Sequence, residues 1–449
     1  MQTRLAQHIQ ETPLCDTHEH LWSEQEYISQ EPDILQTLFS GGYVTSDLVV
    51  AGASPEDAEA LVDSSNPDIG ARFRKIESAW KAVQHTGYGE AVRITAQKLY
   101  DIDDLSPETL ETAQVKHAEY LGPGQRLRLL RDVANLDHVQ IDDLSWVCLP
   151  DAAGTDFFFS DISWWKFCCG TPEIDLFQKE IGVEVVDLAS LRRAMETIFE
   201  RFASTAIAVK AQHAYDRTLQ WQKRSDAEAE QALTNFLCKP DAISTADQLC
   251  LGDWCWARGV ELAGEYDLPF KLHTGYYAHY GHMQTSYIRP GHLSDLLIRY
   301  PDTRFVLMHA AYPYSNELVA LAKHFPNVYA DLCWAWSIDP YASSDFLRRC
   351  IHAVPANKIF AFGGDTWWPG TAVGFVAQAR TWLTRTLQAE IDDGFLSEDE
   401  AIALANRFMR DNQYDCFRLE EKRRIISDKI SRYPMPPEDK SVGLQKDAP

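Results

Sequence analysis

Short apolar runs and longer amphipathic segments alternate through most of this 449-residue chain. Several of the runs are continuously apolar and partly β-branched, which is typical of strands that are buried on both faces. The cadence of strand, helix and strand is that of a parallel sheet, closed or open, in an α/β protein. The predicted strands cover residues 14–20, 137–141, 145–149, 206–210, 269–273, 304–309, 328–332 and 359–365.

One long segment, from about residue 30 to about residue 135, interrupts this cadence and is mostly helical in pattern. Asn66-Pro67 and Ser106-Pro107 each place a capping residue before a proline that can occupy the first helical turn. We therefore predict a helical insertion after the first strand that forms a cap or lid. Helices are predicted at 68–83, 91–100, 187–202, 226–236, 247–266, 292–299, 316–324 and 398–419.

The predicted domain organisation is one domain over residues 1–430, followed by a polar tail at 431–449. The aromatic segment 157–165 is expected to be a connection that packs against the sheet or against a second subunit.

Composition and charge narrow the classes of partner. The formal net charge is −24 and the pI is about 4.9, which argues against nucleic acid or an anionic membrane as a partner. The ten cysteines are scattered, which indicates reduced thiols. No signal peptide and no membrane-spanning apolar run is evident, so we expect a cytoplasmic protein.

Four of the predicted strands end in metal-binding side chains. His18 and His20 close the first strand, and His273, His309 and Asp365 close three later ones. Residues i and i+2 of a strand share one face, and the carboxyl ends of barrel strands meet at one rim. Three imidazoles and a carboxylate, with room for a water, fit a catalytic divalent metal site.

This order of residues resembles that of the amidohydrolase superfamily, in particular its amidohydrolase-2 branch. The segments 272–276, 309–314 and 363–366 are similar to those of amidohydrolase-like domains related to glutamine-synthetase-type fusion proteins. Uronate isomerases and metal-dependent decarboxylases are more distantly similar. The resemblance covers residues 10–420 and implies a TIM-type (β/α)8 barrel with a helical insertion after strand 1.

The resemblance also implies roles for the five residues at the strand ends. His18, His20, His273 and Asp365 would bind a divalent metal, expected to be zinc, with manganese as an alternative. His309 would bind a second metal or polarise the substrate and stabilise an oxyanion. Asp365 would be the general base for a metal-activated water, because a metal lowers the pKa of water toward neutrality.

Lys210, at the end of the fourth run, has two possible roles. The resemblance allows a carbamylated lysine that bridges two metals, while a charged lysine at a rim would bind a substrate anion. We favour the anion and a mononuclear site.

Residues in the loops after the strands are candidates for the substrate pocket. We predict that it is lined by Trp22, Tyr276, Tyr312 and Trp367, with Arg217 as a further anion-binding residue. His213, His279 and His282 are expected to be hydrogen-bonded or solvated and not to be ligands.

We therefore interpret the chain as a metal-dependent hydrolase of a carbon–nitrogen or ester bond in a small, carboxylated molecule. The alternatives are a decarboxylase or uronate-type isomerase that uses the same ligands, and a non-catalytic metal-bound structural or sensor barrel. The expected partner is a small-molecule substrate, and we expect a homo-oligomer.

Overall fold

The computed structural model describes residues 3–40 and 43–432 of the chain. Within these residues, eight parallel strands pair in sequential order, β1 to β8. Their bounds are β1 Leu14–Glu19, β2 Leu136–Ile141, β3 Phe158–Ser163, β4 Ala206–Ala211, β5 Phe270–Leu272, β6 Phe305–Leu307, β7 Val328–Asp331 and β8 Ile359–Phe360.

The two ends of this sheet meet through backbone hydrogen bonds. The amide of Thr17 in β1 donates to the carbonyl of Phe362, just after β8, at 3.2 Å, and the amide of Asp365 donates to the carbonyl of His18 at 2.9 Å. The molecule is therefore a (β/α)8 barrel, as predicted, and the carboxyl ends of its strands share one rim.

The helices surround the barrel and also form the segment between β1 and β2. In that segment and before β1 they are α1 Arg4–Glu11, α2 Glu24–Gln30, α3 Ile34–Phe39, α4 Val44–Val50, α5 Pro55–Val62, α6 Ile69–Val83, α7 Gly87–Thr95, α8 Pro107–His117 and α9 Gln125–Leu127. After β3 they are α10 Trp165–Cys169, α11 Ile174–Leu176, α12 Leu188–Phe202, α13 Asp226–Cys238, α14 Thr245–Glu265, α15 Ser294–Arg299, α16 Ser315–His324, α17 Ala335–Ile338, α18 Pro340–Ala353, α19 Pro369–Asp392, α20 Glu398–Asn406, α21 Asn412–Phe417 and α22 Leu419–Arg432. Wide π-type turns at Ala96–Tyr100, Arg128–Val133, Phe177–Ile181 and Arg407–Asp411 extend four of these helices.

The helical segment 24–133 is attached to α19, the helix that follows β8. The side-chain amide of Gln378 in α19 donates to the carbonyl of Gly87 at 2.8 Å and to the carboxylate of Glu90 at 2.9 Å. The two helices approach so closely that a Cβ on Gly374 would lie 1.8 Å from the hydroxyl oxygen of Thr95. Glycine is therefore required at this crossing, and the helical segment is held beside the end of β8.

Three sequence predictions of local structure were wrong. Residues 145–149 form no strand, and the third strand is Phe158–Ser163, inside the segment predicted to be a connection. Its polar residues Ser160, Asp161 and Ser163 concealed it, because a barrel interior normally holds apolar side chains. The cap of α6 is Asp68, whose carboxylate accepts from the amide of Ala71 at 2.8 Å, and not Asn66.

The remaining helix predictions agree with the structure to within a few residues, and Ser106 caps α8 as expected. Among the residues that the structure describes, no helix combines the length and apolar character needed to span a membrane. Most of the predicted tail, 433–449, lies outside the described residues.

Candidate metal centre

His18, His20 and Asp365 form a compact group at the rim. His18 lies in β1 and His20 directly follows that strand. The Nε2 atoms of the two imidazoles lie 3.2 Å and 3.3 Å from the same carboxylate oxygen, Oδ1 of Asp365. All three side chains are buried, and their candidate ligand atoms lie within 4.8 Å of one another. This is a donor set of the kind that zinc and related divalent metals prefer.

The tautomer of His20 shows why a cation fits this group. Nδ1 of His20 lies 2.7 Å from the carbonyl oxygen of Asp142, which can only accept a hydrogen bond, so Nδ1 carries the proton. In the neutral ring, Nε2 then carries a lone pair that faces the carboxylate of Asp365. Two hydrogen-bond acceptors therefore face each other and repel. A positive ion between them removes this repulsion, and the hydrogen bond to the carbonyl orients the ring toward it.

His309 and His273 provide a second pair of facing acceptors. Nδ1 of His309 donates to the carbonyl of Cys333 at 3.0 Å, and Nε2 of His273 donates to the carbonyl of Tyr276 at 2.9 Å. The remaining nitrogens, Nε2 of His309 and Nδ1 of His273, face each other at 2.9 Å without a proton in the neutral rings. Burial lowers the pKa of His309 to about 4 and that of His273 well below its usual value, so these lone pairs also attract a cation.

Asp365 connects the two pairs. Its Oδ2 lies 3.7 Å from Nε2 of His309, and a second potential ligand group combines His309, Cys333 and Asp365. Burial raises the pKa of Asp365, but interactions with His18 and His20 outweigh it and hold the pKa below its usual range. His273 lies outside both ligand groups and contacts His309, so its role as a metal ligand stays a prediction.

Two buried carboxyl groups of β1 position the backbone around these residues. Asp16 accepts from the amides of His18 at 3.1 Å and Gly364 at 3.2 Å, and Glu19 accepts from the amide of Thr366. Burial raises the pKa of Asp16 to about 7 and that of Glu19 well above its usual value. A Cβ on Gly364 would lie 2.0 Å from the Glu19 carboxylate, so this turn requires glycine.

The barrel interior next to this group is also polar. The carboxylate of Asp331 accepts from the hydroxyl of Thr17 at 2.7 Å and from the amide of Cys333 at 2.9 Å. The ammonium of Lys271 donates to Asp161 at 2.8 Å and to the carbonyl of Thr17 at 2.7 Å. These groups are fully buried, so their partners replace the water that they lose on folding.

The buried Asp331 gives the metal-free protein a definite pH dependence. Burial raises the pKa of Asp331 to about 7. The folded chain then keeps a proton on Asp331 that the unfolded chain releases near pH 4. This difference in proton binding stabilises the folded state fully below about pH 4, and the stabilisation is lost as the pH rises through about 7. Asp331→Asn removes the titration while its amide can replace the protonated carboxyl, so we expect a shallower decline of the unfolding free energy.

Urea unfolding of chelator-treated protein at about pH 5 and about pH 8 measures this difference. The surface variant Asp302→Asn is the matched control and should keep the wild-type decline. An Asp331→Asn variant that loses as much stability between the two pH values as the wild type would contradict the assignment.

Lys210 lies where the sequence predicted, near the end of β4, and is fully buried. Its ammonium nitrogen is 3.3 Å from Nε2 of His18 and 3.4 Å from the side-chain oxygen of Gln212. Within residues 3–40 and 43–432, no carboxylate forms an ion pair with it. A buried ammonium is costly without an anion, so Lys210 is suited to meet a substrate carboxylate or to carry a carbamate.

The predicted aromatic residues lie around the same group. Trp367 stacks on His20 with ring centroids 5.0 Å apart, and Trp22 lies 5.8 Å from Trp367. Tyr276 lies 6.1 Å from Tyr312, and its backbone carbonyl accepts from a ring nitrogen of His273. Their direct role in substrate binding stays a prediction.

The insertion supplies two residues that the sequence analysis missed. The hydroxyl of Tyr43 donates to the backbone carbonyl of Asp365, and its ring packs against Trp334 at 4.9 Å and Tyr88 at 5.7 Å. Trp334 in turn contacts His309 edge to face at 5.5 Å. No sequence signal marked Tyr43 or Tyr88, because they lie in the middle of a helical segment far from any strand end.

Arg217 is engaged in contacts within the protein, and its predicted role in binding a substrate anion stays a prediction. Its guanidinium forms a buried ion pair with Asp253 at 2.7 Å and also donates to the carbonyls of Cys168, Thr218 and Gln220. These contacts use the donors that a substrate anion would need, so Arg217 links α10, its own loop and α14.

The other candidates in the rim loops do not join the metal centre. His213 is fully buried with its ring 4.2 Å from that of Trp256, and it belongs to none of the ligand groups found among the described residues.

Comparison with known proteins agrees with this geometry. Residues 190–406 match the sequence model of the amidohydrolase family. The protein fluG of Emericella nidulans is 26% identical over 260 residues, which is 53% of this chain but only 29% of fluG.

Solved structures share the architecture. Uronate isomerase of Thermotoga maritima has a TM-score of 0.76 at 15% identity, with 92% of this chain and 96% of that chain covered. Glucuronate isomerase of Caulobacter crescentus has a TM-score of 0.77 at 17% identity, with 93% of each chain covered. At such identities the likeness shows the fold and not the reaction.

Proposed function

We propose that the chain is a metal-dependent hydrolase of the amidohydrolase superfamily, whose family model matches residues 190–406. Its substrate would be an amide-type carbon–nitrogen bond or an ester bond in a small, carboxylated molecule. The observation that carries the proposal is the convergence of His18, His20 and Asp365 within 4.8 Å, with imidazole lone pairs facing a carboxylate. The expected cofactor is zinc, with manganese as an alternative.

The divalent metal, when bound, supplies Lewis-acid chemistry and lowers the pKa of a coordinated water. His18, His20 and Asp365 would hold it, with His273 as the further predicted ligand. One carboxylate oxygen of Asp365 lies 3.2 Å and 3.3 Å from the two imidazoles that would hold the metal, so Asp365 is placed to accept a proton. It would take the proton of the attacking water and return it to the leaving group.

His309 would stabilise the negative charge that develops on the substrate oxygen. Its Nδ1 proton is committed to the carbonyl of Cys333, so only Nε2 can serve this purpose. Burial lowers the pKa of His309 to about 4, so Nε2 would have to gain a proton when the substrate binds in order to donate to this oxygen. Lys210 would bind the substrate carboxylate, since no protein carboxylate within the described residues neutralises it.

Lys210→Ala separates the two roles of this lysine. Under the mononuclear proposal, wild type and variant both retain one metal per chain, and the variant loses affinity for an anionic substrate by about tenfold to a hundredfold in KM. Elemental analysis of both proteins and steady-state kinetics provide the measurements. Two metals in the wild type and fewer in the variant would show instead that Lys210 bridges two ions.

Hydrolysis can be tested without knowing the substrate in advance. The metal-loaded protein is incubated in water enriched in oxygen-18 with a library of N-acyl amino acids, amides and esters, and products are analysed by mass spectrometry. A hydrolase places one labelled oxygen in the acyl product. Conversion with no labelled oxygen would contradict the hydrolase proposal.

The second candidate is an isomerase or decarboxylase that uses the same residues. It is kept because the architecture aligns over nearly the full length with two uronate isomerases, and this likeness shows the fold alone. Product mass distinguishes the three reactions, since an isomer keeps the substrate's mass, decarboxylation releases carbon dioxide and hydrolysis adds water. A non-catalytic metal-bound barrel would convert none of the compounds tested.

A further inference from the structure

A second cluster of charged side chains surrounds a cavity of about 240 Å³ outside the metal centre. It lies between α12, the loop before α13, α14 and the end of α15. Among the described residues, five cationic side chains and two carboxylates line it. The cations are Arg192, Lys223, Arg224, Arg258 and Arg299. This local excess of positive charge stands out in a chain whose net charge is −24.

The ion pairs around the cavity leave part of this charge without a partner. Arg224 shares the single carboxylate of Asp253 with Arg217, at 3.0 Å and 2.7 Å. Lys223 and Arg299 form no ion pair in the part of the chain that the structure describes. One shared carboxylate cannot neutralise two guanidinium groups, so the pairing leaves an excess of cations at the cavity.

The walls of the cavity are rigidly built. Arg192 lies 3.2 Å from both carboxylate oxygens of Asp226 and covers the ring of Trp254 at 4.9 Å. The indole nitrogen of Trp254 donates to the same carboxylate at 2.9 Å. Arg258 pairs with Glu261, which also lines the cavity, and with Glu265 at 3.2 Å, yet its Nε is buried and has no hydrogen-bond partner among the described residues. A donor of this kind is costly to leave unsatisfied.

We propose that this cavity binds a small molecule that carries a phosphate group. Guanidinium groups present several donors in a planar fork that matches tetrahedral oxyanions, and a doubly charged anion balances the unpaired cations. The acidic remainder of the chain repels an extended polyanion such as nucleic acid, so the ligand is small. None of the residues that line the cavity belongs to the metal centre, so this site is independent of the proposed reaction.

Isothermal titration of the full-length, metal-loaded protein with inorganic phosphate and with phenyl phosphate tests the proposal. Lys223→Ala and Arg299→Ala remove exposed side chains that have no ion pair, so both variants should fold. We expect saturable binding to the wild type that weakens by about tenfold or more for each cation removed. Tighter binding of phenyl phosphate than of phosphate would identify a phosphate ester as the ligand, and equal binding would identify free phosphate.

Two controls locate the binding. Lys98→Ala removes an exposed lysine of the insertion that does not line the cavity, and it should bind as the wild type does. Asp365→Asn disrupts the metal centre and should also retain binding. Absence of saturable binding to the wild type, unchanged affinity in the Lys223→Ala/Arg299→Ala double variant, or loss of binding in Asp365→Asn would each overturn the proposal.

Discussion

Asp365→Asn is expected to release the metal and to lower activity by about 10²- to 10⁴-fold, the range that a positioned general base contributes. The variant loses the negative charge that faces Nε2 of both His18 and His20 at 3.2 Å and 3.3 Å. Its amide nitrogen can instead donate to these lone pairs, which removes the repulsion that a cation relieves in the wild type. The metal-free variant should therefore be at least as stable as the metal-free wild type.

Metal content and thermal unfolding of both proteins, each with and without chelator, measure these effects. The surface variant Asp302→Asn is the control for a lost carboxylate and should keep its metal and activity. Asp365→Asn protein that keeps a full complement of metal would show that this carboxylate is not a ligand.

Lys271→Met is expected to destabilise the fold by about 3–5 kcal/mol, the usual cost of breaking a buried ion pair from one side. The ammonium of Lys271 is fully buried and satisfies both Asp161 and the carbonyl of Thr17. Burial already raises the pKa of Asp161 to about 6 even with this lysine present. Without it the carboxyl group must take up a proton or remain charged without a partner.

The double variant Lys271→Met/Asp161→Leu distinguishes pairing from mere packing. It removes both charges, so we expect it to recover most of the lost stability even though leucine is larger than aspartate. Chemical denaturation of both variants gives the comparison. A double variant as unstable as Lys271→Met would show that the ion pair is not the cause.

The fold was largely predictable because the apolar runs of a barrel are short, continuous and regularly spaced. The third strand escaped because it carries polar residues, and Asp161 is tolerated inside the barrel only because Lys271 reaches it from β5. Such a pairing spans 110 residues and leaves no local pattern in either segment. Residues 145–149 were predicted as a strand because they form an apolar run. A strand also needs a neighbouring strand to pair with, and the sequence does not show whether one is present.

Some residues of the candidate site could also be predicted from the sequence, and others could not. His18, His20 and Asp365 were predictable because strand ends converge at one rim, and the structure brings them together. The ion pair of Arg217 with Asp253 could not be predicted, because Asp253 lies on a helix whose orientation the sequence does not reveal. Tyr43 was missed because the way in which the insertion contacts the end of β8 depends on tertiary packing.

The most direct test of the account is elemental analysis of the purified full-length protein beside Asp365→Asn, combined with thermal unfolding before and after addition of zinc or manganese. We expect one divalent metal per chain in the wild type, a raised unfolding temperature on metal addition and loss of both in the variant. Wild-type protein that contains no metal and gains neither stability nor activity from either ion would contradict it.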